Sequence, residues 1–120
     1  MRLRRFVIMA LWGLAGVQAS ALAQGAAEAG QAEFDLGKQL FTKSAKPACA
    51  LCHTLRDAQS EGAVGPVLDE IKPDAERVKR ALRNGLGNMP AFPHLSETEL
   101  AALARYVSQA SGGAAAAAAK

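Results

Sequence analysis

The sequence predicts an all-α domain, and three observations predict it. Apolar residues recur at helical spacing in three separate segments, Gly and Pro concentrate between them, and apolar and polar residues nowhere alternate as they do in a strand. The elements are taken in chain order below.

The chain has 120 residues, and its start reads as an export signal. Met1 to Arg5 is basic, Phe6 to Val17 (FVIMALWGLAGV) is apolar, and Ala21-Leu22-Ala23 is the small-x-small pattern that a signal peptidase reads. An apolar run of about a dozen residues is shorter than the roughly 20 needed to cross a bilayer. Residues 1–23 are therefore expected to be a cleaved signal peptide, with no membrane span in the mature chain and a periplasmic destination. The surroundings of Arg4-Arg5 do not match a twin-arginine signal, so general secretion is expected.

Removal of that segment alters the charge argument. The whole chain has 14 Lys+Arg against 11 Asp+Glu, and without Arg2, Arg4 and Arg5 the balance is 11 to 11. The mature domain thus has no excess positive charge to attract nucleic acid, and no nucleic-acid partner is expected.

The first helix is predicted in Glu33–Ser44 (EFDLGKQLFTKS), where Phe34, Leu36, Leu40 and Phe41 are the apolar positions. Gly37 lowers helix propensity there and suggests close approach by another backbone. Asp57 to Pro66 (DAQSEGAVGP) reads as a surface loop. Pro73-Asp74 opens a second helix, with Asp74 and Glu76 in its first turn, Arg80 and Arg83 in its last and Gly85 beyond its end. Val78, Ala81 and Leu82 are its core-facing positions. Gly85 to Pro93 (GLGNMPAFP) cannot be regular structure.

Ser96 and Glu99 form a capping box for a third helix, in which Leu100, Leu103, Ala104 and Val107 follow at helical spacing. Ser111-Gly112-Gly113 should end it, and Ala114 to Ala119 are too few to hold a helix alone. One domain is therefore expected over residues 31–110, followed by a disordered Gly/Ala-rich tail over 111–120. A domain this small has a thin side-chain core and usually needs a disulfide, a metal or a cofactor.

The stretch PACALCHT, Pro47 to Thr54, supplies the candidate. Cys49, Cys52 and His53 form C-x-x-C-H. A redox-active dithiol belongs in a βαβ setting that this sequence lacks. A structural zinc normally takes four ligands, and the only other histidine is His94. A disulfide between Cys49 and Cys52 would close too short a loop to stabilise much, and it leaves His53 unexplained. Two thiols at this spacing can instead each add to a vinyl group of haem, giving one covalently bound haem c, with His53 placed to ligate its iron.

For the opposite axial position the candidates are Met89 and His94. Met1 and Met9 leave with the signal, and Met89 sits in a Gly/Pro loop with no hydrophobic face to belong to. His94 directly precedes the capped helix, where a surface position is expected. Met89 is the predicted ligand.

These residues resemble the small bacterial class I cytochromes c over essentially the whole domain. Cys49 to His53 is similar to the family's haem-binding motif, Gly65-Pro66-Val67-Leu68 to its G-P-x-L, and Met89-Pro90-Ala91-Phe92 to its M-P-x-F ligand loop. Leu103 to Val107 resembles its last helix, which its first helix crosses at the positions of Gly37 and Phe41. The resemblance implies a class I cytochrome c fold, three main helices and short helical turns wrapped around one haem. It also implies that the Pro66 carbonyl accepts from the non-ligating ring N–H of His53, and that Gly37 lies against Tyr106. Many relatives keep a tryptophan near the haem propionates. Trp12 is lost with the signal, so the sequence leaves the propionate partners open.

The implied function is that of an electron carrier, not an enzyme. With His53 and Met89 on the iron there is no open position, and the expected partners are an upstream dehydrogenase and a downstream oxidase or cytochrome, met by a monomer in transient complexes. Lys43 and Lys46 precede Cys49 and could face an acidic partner. The stretch from Phe41 to Pro66 resembles small cytochromes that accept electrons from periplasmic molybdenum sulfite dehydrogenases, which makes sulfite oxidation the expected context. The alternative is a haem-based small-ligand sensor or peroxidase-like protein with a displaceable Met89.

Overall fold

The computed structural model describes residues 15–119, with side chains from residue 22 onward. Residues 1–14 of the expected signal peptide, with its basic part and most of its apolar part, lie outside the described residues. The chain divides into a unit through Gln31 and a second unit from Ala32 onward. In the first, the described residues are helical, and those from Leu22 to Ala29 are exposed.

Helix α1 spans Ala15–Gln39, and from Ala32 it belongs to the second unit. It continues into a wider π-helical turn, Leu40–Ser44, that buries Leu40 and Phe41. The Thr42 hydroxyl donates to the Lys38 carbonyl at 2.8 Å, a back-bond of the kind that accompanies local departures from α geometry. A 3-10 turn, Cys49–Leu51, follows, and then two strands of two residues each, β1 (Thr54–Leu55) and β2 (Ser60–Glu61), paired antiparallel. This ladder falls within and just before the stretch predicted as a loop. It is too short to show alternation, and its turn is closed by Gln59 N–H donating to the Arg56 carbonyl at 3.0 Å with Gln59 at φ 51°.

Helix α2 is a single turn, Leu68–Ile71, and α3 spans Ala75–Asn84. The Asp74 carboxylate caps α3 by accepting from Arg77 N–H at 2.7 Å, and Gly85 ends it with φ 72°. Helix α4, Glu97–Ser111, starts in the capping box that the sequence predicts: Glu99 N–H donates to the Ser96 hydroxyl, and Ser96 N–H donates back to the Glu99 carboxylate at 2.8 Å. These two helices begin and end within a residue or two of expectation because their signals are local.

The tail differs from expectation. Ser111 is buried, Gly112 turns the chain with φ 84°, and Gly113–Ala118 forms α5. Gly113 lies so close to Pro73 that a Cβ there would come within 2.6 Å of its carbonyl carbon. The packed structure thus runs to Gly113, whereas Ala114 to Ala119 are exposed.

The core gathers around Tyr106. Its ring meets Phe34 and Phe41 edge-on, with centroids 5.0 and 5.8 Å away, and Leu55, Leu82 and Leu103 are as deeply buried. This packing is possible because Gly37 lets α1 touch α4: a Cβ at Gly37 would overlap the Ala102 carbonyl oxygen and lie 2.5 Å from Tyr106 Cβ. Gly37→Ala must therefore push two backbones apart, and we expect a loss of about 3 kcal/mol, the upper end of overpacking costs, in urea unfolding of the haem-loaded protein. A loss under about 0.5 kcal/mol would show that the crossing has slack.

The Tyr106 hydroxyl donates to Asp57 Oδ1 at 2.8 Å, and Lys38 Nζ stands 3.0 Å from the same oxygen. Burial acts to raise the Asp57 carboxyl, but the Tyr106 hydroxyl and Lys38 outweigh it, and the group sits below its ordinary value. Burial first, and Asp57 second, hold the Tyr106 hydroxyl well above its ordinary value, so it remains a donor. A carboxyl lowered on folding stabilises above its unfolded pKa of about 3.9, and that contribution is lost as pH falls through the folded value. Tyr106→Phe should accordingly lower stability by about 1 kcal/mol at neutral pH, with the gap to the parent narrowing below about pH 4. A gap independent of pH would remove Asp57 from the account.

Candidate functional site

The C-x-x-C-H segment is folded on itself before anything else touches it. Cys52 N–H and His53 N–H both donate to the Cys49 carbonyl, at 3.1 and 2.9 Å, which places both cysteine side chains on one tight turn. The strand pair then wraps this turn. Ser60 hydroxyl donates to the His53 carbonyl at 2.9 Å, Gly65 N–H donates to the Cys52 carbonyl at 2.7 Å, and a Cβ at Gly62 would lie within 2.6 Å of His53 N.

Two neighbours fix the His53 ring. Its Nδ1 stands 2.9 Å from the Pro66 carbonyl oxygen, and because a carbonyl only accepts, Nδ1 must carry the proton. In the neutral ring this tautomer leaves the lone pair on Nε2. Gly65 lies against the ring: a Cβ there would be 2.5 Å from Cε1 and 2.8 Å from Nδ1, so no larger residue fits.

On the other side, Met89 is held through its backbone. Leu86 and Met89 exchange N–H to carbonyl bonds, both at 3.0 Å, and Phe92 N–H donates to the Leu82 carbonyl at 2.8 Å. Phe92 is buried, and Gly87 turns the loop at φ 57°. His94 is exposed, with its ring 5.8 Å from that of Phe92.

Between these parts lies a cavity of about 560 Å³. Cys49, Cys52, His53, Pro66 and Met89 all line it; His94 does not. The rest of the wall is mainly apolar, with Phe41, Leu82, Leu103 and Val107 from three different segments. The volume falls in the range of about 300–1,000 Å³ that accommodates a cofactor-sized ligand.

The setting of Cys49 argues against dithiol redox work. Burial pushes Cys49 up to about 11; a backbone hydrogen bond opposes the rise and Cys52 adds to it. A reactive cysteine needs a lowered pKa, so the Cys49 thiol is suited to a tether and not to exchange. Among the described residues no three His, Cys, Asp or Glu side chains converge as a metal-binding group, so the zinc corner lacks its geometry as well. A large apolar cavity with two cysteines at its wall, an imidazole whose Nε2 is free and a thioether fits a covalently bound haem.

Residues 32–107 match the family described as cytochrome c oxidase, cbb3-type, subunit III. The chain belongs to this cytochrome c family. The cytochrome is 36% identical over 86 residues to the cytochrome c subunit of 4-cresol dehydrogenase [hydroxylating] from Pseudomonas putida, a match covering 67% of this chain and 68% of that one. It is also similar to the crystal structure of the c-type cytochrome SorU from Sinorhizobium meliloti, with 51% identity and a TM-score of 0.67 over 68% of this chain and 94% of that chain. The class I cytochrome c fold and a covalently bound haem c with iron follow from this membership, and Cys49 and Cys52 have the spacing that attachment requires.

Sequence reasoning overlooked Gly62 and Gly65 as parts of the site. Gly65 is in the G-P-x-L resemblance, but only the folded chain reveals that it lies against the His53 ring.

Proposed function

We propose that the cytochrome is a periplasmic one-electron carrier whose haem is tethered by Cys49 and Cys52 and ligated by His53 and Met89. The observation that carries this reading is the shared cavity: His53, with Nδ1 tied to the Pro66 carbonyl, and Met89 line one mainly apolar chamber. When bound, haem supplies the ferric/ferrous couple. Pro66 holds the His53 proton on Nδ1 and strengthens Nε2 as a donor. Met89 would be the second residue to hold the iron, leaving it no open position for oxygen or substrates. The apolar wall would exclude water, which together with Met/His ligation would raise the reduction potential.

The expected partners are redox proteins met one at a time by a monomer. A dehydrogenase upstream is supported by the name of the Pseudomonas putida relative, a cytochrome subunit of a dehydrogenase. Sulfite dehydrogenase is the donor we propose, on the resemblance of the stretch from Phe41 to Pro66, with a terminal oxidase or another cytochrome as acceptor. Export is supported by the sequence of residues 1–23, and among the described residues no helix is long and apolar enough to cross a membrane.

The test is spectroscopic. The ferric protein should show the far-red Met-to-iron band and the ferrous protein should not bind carbon monoxide. Ready carbon monoxide binding would overturn the carrier reading and leave the sensor or peroxidase-like alternative. The donor is tested separately by mixing reduced sulfite dehydrogenase with the ferric protein; a second-order rate no better than that of an unrelated cytochrome removes sulfite dehydrogenase from the proposal.

A further inference from the structure

We propose that Arg77 and Arg80 hold the two propionate carboxylates of the haem, with the amides of Asn84 and Asn88 completing the polar rim. The inference rests on the haem reading above. On α3, Arg77, Arg80 and Asn84 fall at i, i+3 and i+7, one stripe of the helix, and all three line the cavity. The adjacent stripe, Val78, Ala81 and Leu82, lines it too, with Leu82 fully buried and the two arginines exposed. Helix α3 thus gives the chamber an apolar wall and a guanidinium rim.

The charges around that rim do not balance within the protein. No Asp or Glu lines the cavity. The other two cations of α3 are paired, Lys79 with Glu76 at 3.1 Å and Arg83 with Glu97 at 2.5 Å. Among the described residues the guanidinium groups of Arg77 and Arg80 have no carboxylate partner, and like charges at i, i+3 repel. Two carboxylates on the edge of the occupant would neutralise both. Arginine is suited to this because its planar fork binds a carboxylate through two parallel N–H groups.

The test compares haem-loaded variants. In Arg77→Gln/Arg80→Gln the propionate-bending band in the resonance Raman spectrum should shift and the reduction potential should fall, because the loss of two positive charges favours the ferric state. Arg77→Lys/Arg80→Lys keeps the charge and should restore most of the potential. Lys79→Gln/Arg83→Gln removes the same charge from the same helix and should leave the band in place. An unmoved band in the first variant, or an equal shift in the last, overturns the assignment. If the double variant yields no loaded protein, Arg77→Gln and Arg80→Gln singly serve the same comparison. Absence of covalent haem from the parent, read by peroxidase stain on a denaturing gel, would instead overturn the functional reading.

Discussion

The double variant Cys49→Ala/Cys52→Ala, purified free of haem, is expected to have no cooperative thermal transition in near-ultraviolet circular dichroism. The cavity of about 560 Å³ is large for a domain of roughly 80 residues, and its walls include Phe41, Leu82 and Leu103, three of the most deeply buried side chains. Without its occupant the apolar wall meets water, at about 1.5–3 kcal/mol for each Leu, Phe or Val side chain so exposed. A few such side chains equal the entire stability of a typical domain, about 5–15 kcal/mol. The walls must therefore collapse, and the α3 and α4 side chains that face the chamber lose their fixed packing. Short-range structure such as the Ser96–Glu99 capping box needs nothing from the cavity, so some helical signal should remain in the far ultraviolet. A sharp transition near the temperature of the loaded parent would mean that the chamber closes on its own and that haem is a guest of the fold.

The second large effect is expected at Met89. Met89→Ala should abolish the far-red ferric band, allow the ferrous protein to bind carbon monoxide, and lower the potential by on the order of 0.1 V, a fraction of the roughly 0.8 V that axial ligation spans. The fold should survive, because the paired Leu86–Met89 backbone bonds do not use the side chain and Phe92 still anchors the loop. His94→Ala is the matched control and should change none of these readings, since that imidazole is exposed and outside the cavity lining. If His94→Ala removed the band and Met89→Ala did not, the ligand assignment would be reversed.

Much of this was legible in the sequence where the signal was local. The five residues Cys49 to His53, the capping box at Ser96 and the stop at Gly85 each carry their meaning within a turn or two of chain. The lone mature methionine could be singled out because its neighbours are Gly and Pro. What was not legible depends on residues far apart in the chain. The Lys38–Asp57–Tyr106 cluster joins three segments, and its members look like ordinary surface and core residues when read singly. Gly113 looks like part of a disordered tail because nothing near it in the chain shows that Pro73 lies against it. Read locally, Arg80 is a cation complementing a helix C-terminus. Only its place at the cavity with Arg77, and the pairing of Lys79 and Arg83 elsewhere, gives it a different role.

The contact between Gly65 and the His53 ring has a bearing on rate as well as on binding. An imidazole with a glycine on its face and Nδ1 tied to the Pro66 carbonyl is held in one orientation. As the proposed iron ligand it would present the same Nε2, at the same angle, before and after an electron arrives. Nuclear rearrangement, which ordinarily sets the activation barrier for moving a charge, is then largely removed in advance by preorganised surroundings. A side chain as small as alanine at position 65 would push the ring out of this place, so the glycine would serve the speed of exchange as much as the shape of the pocket.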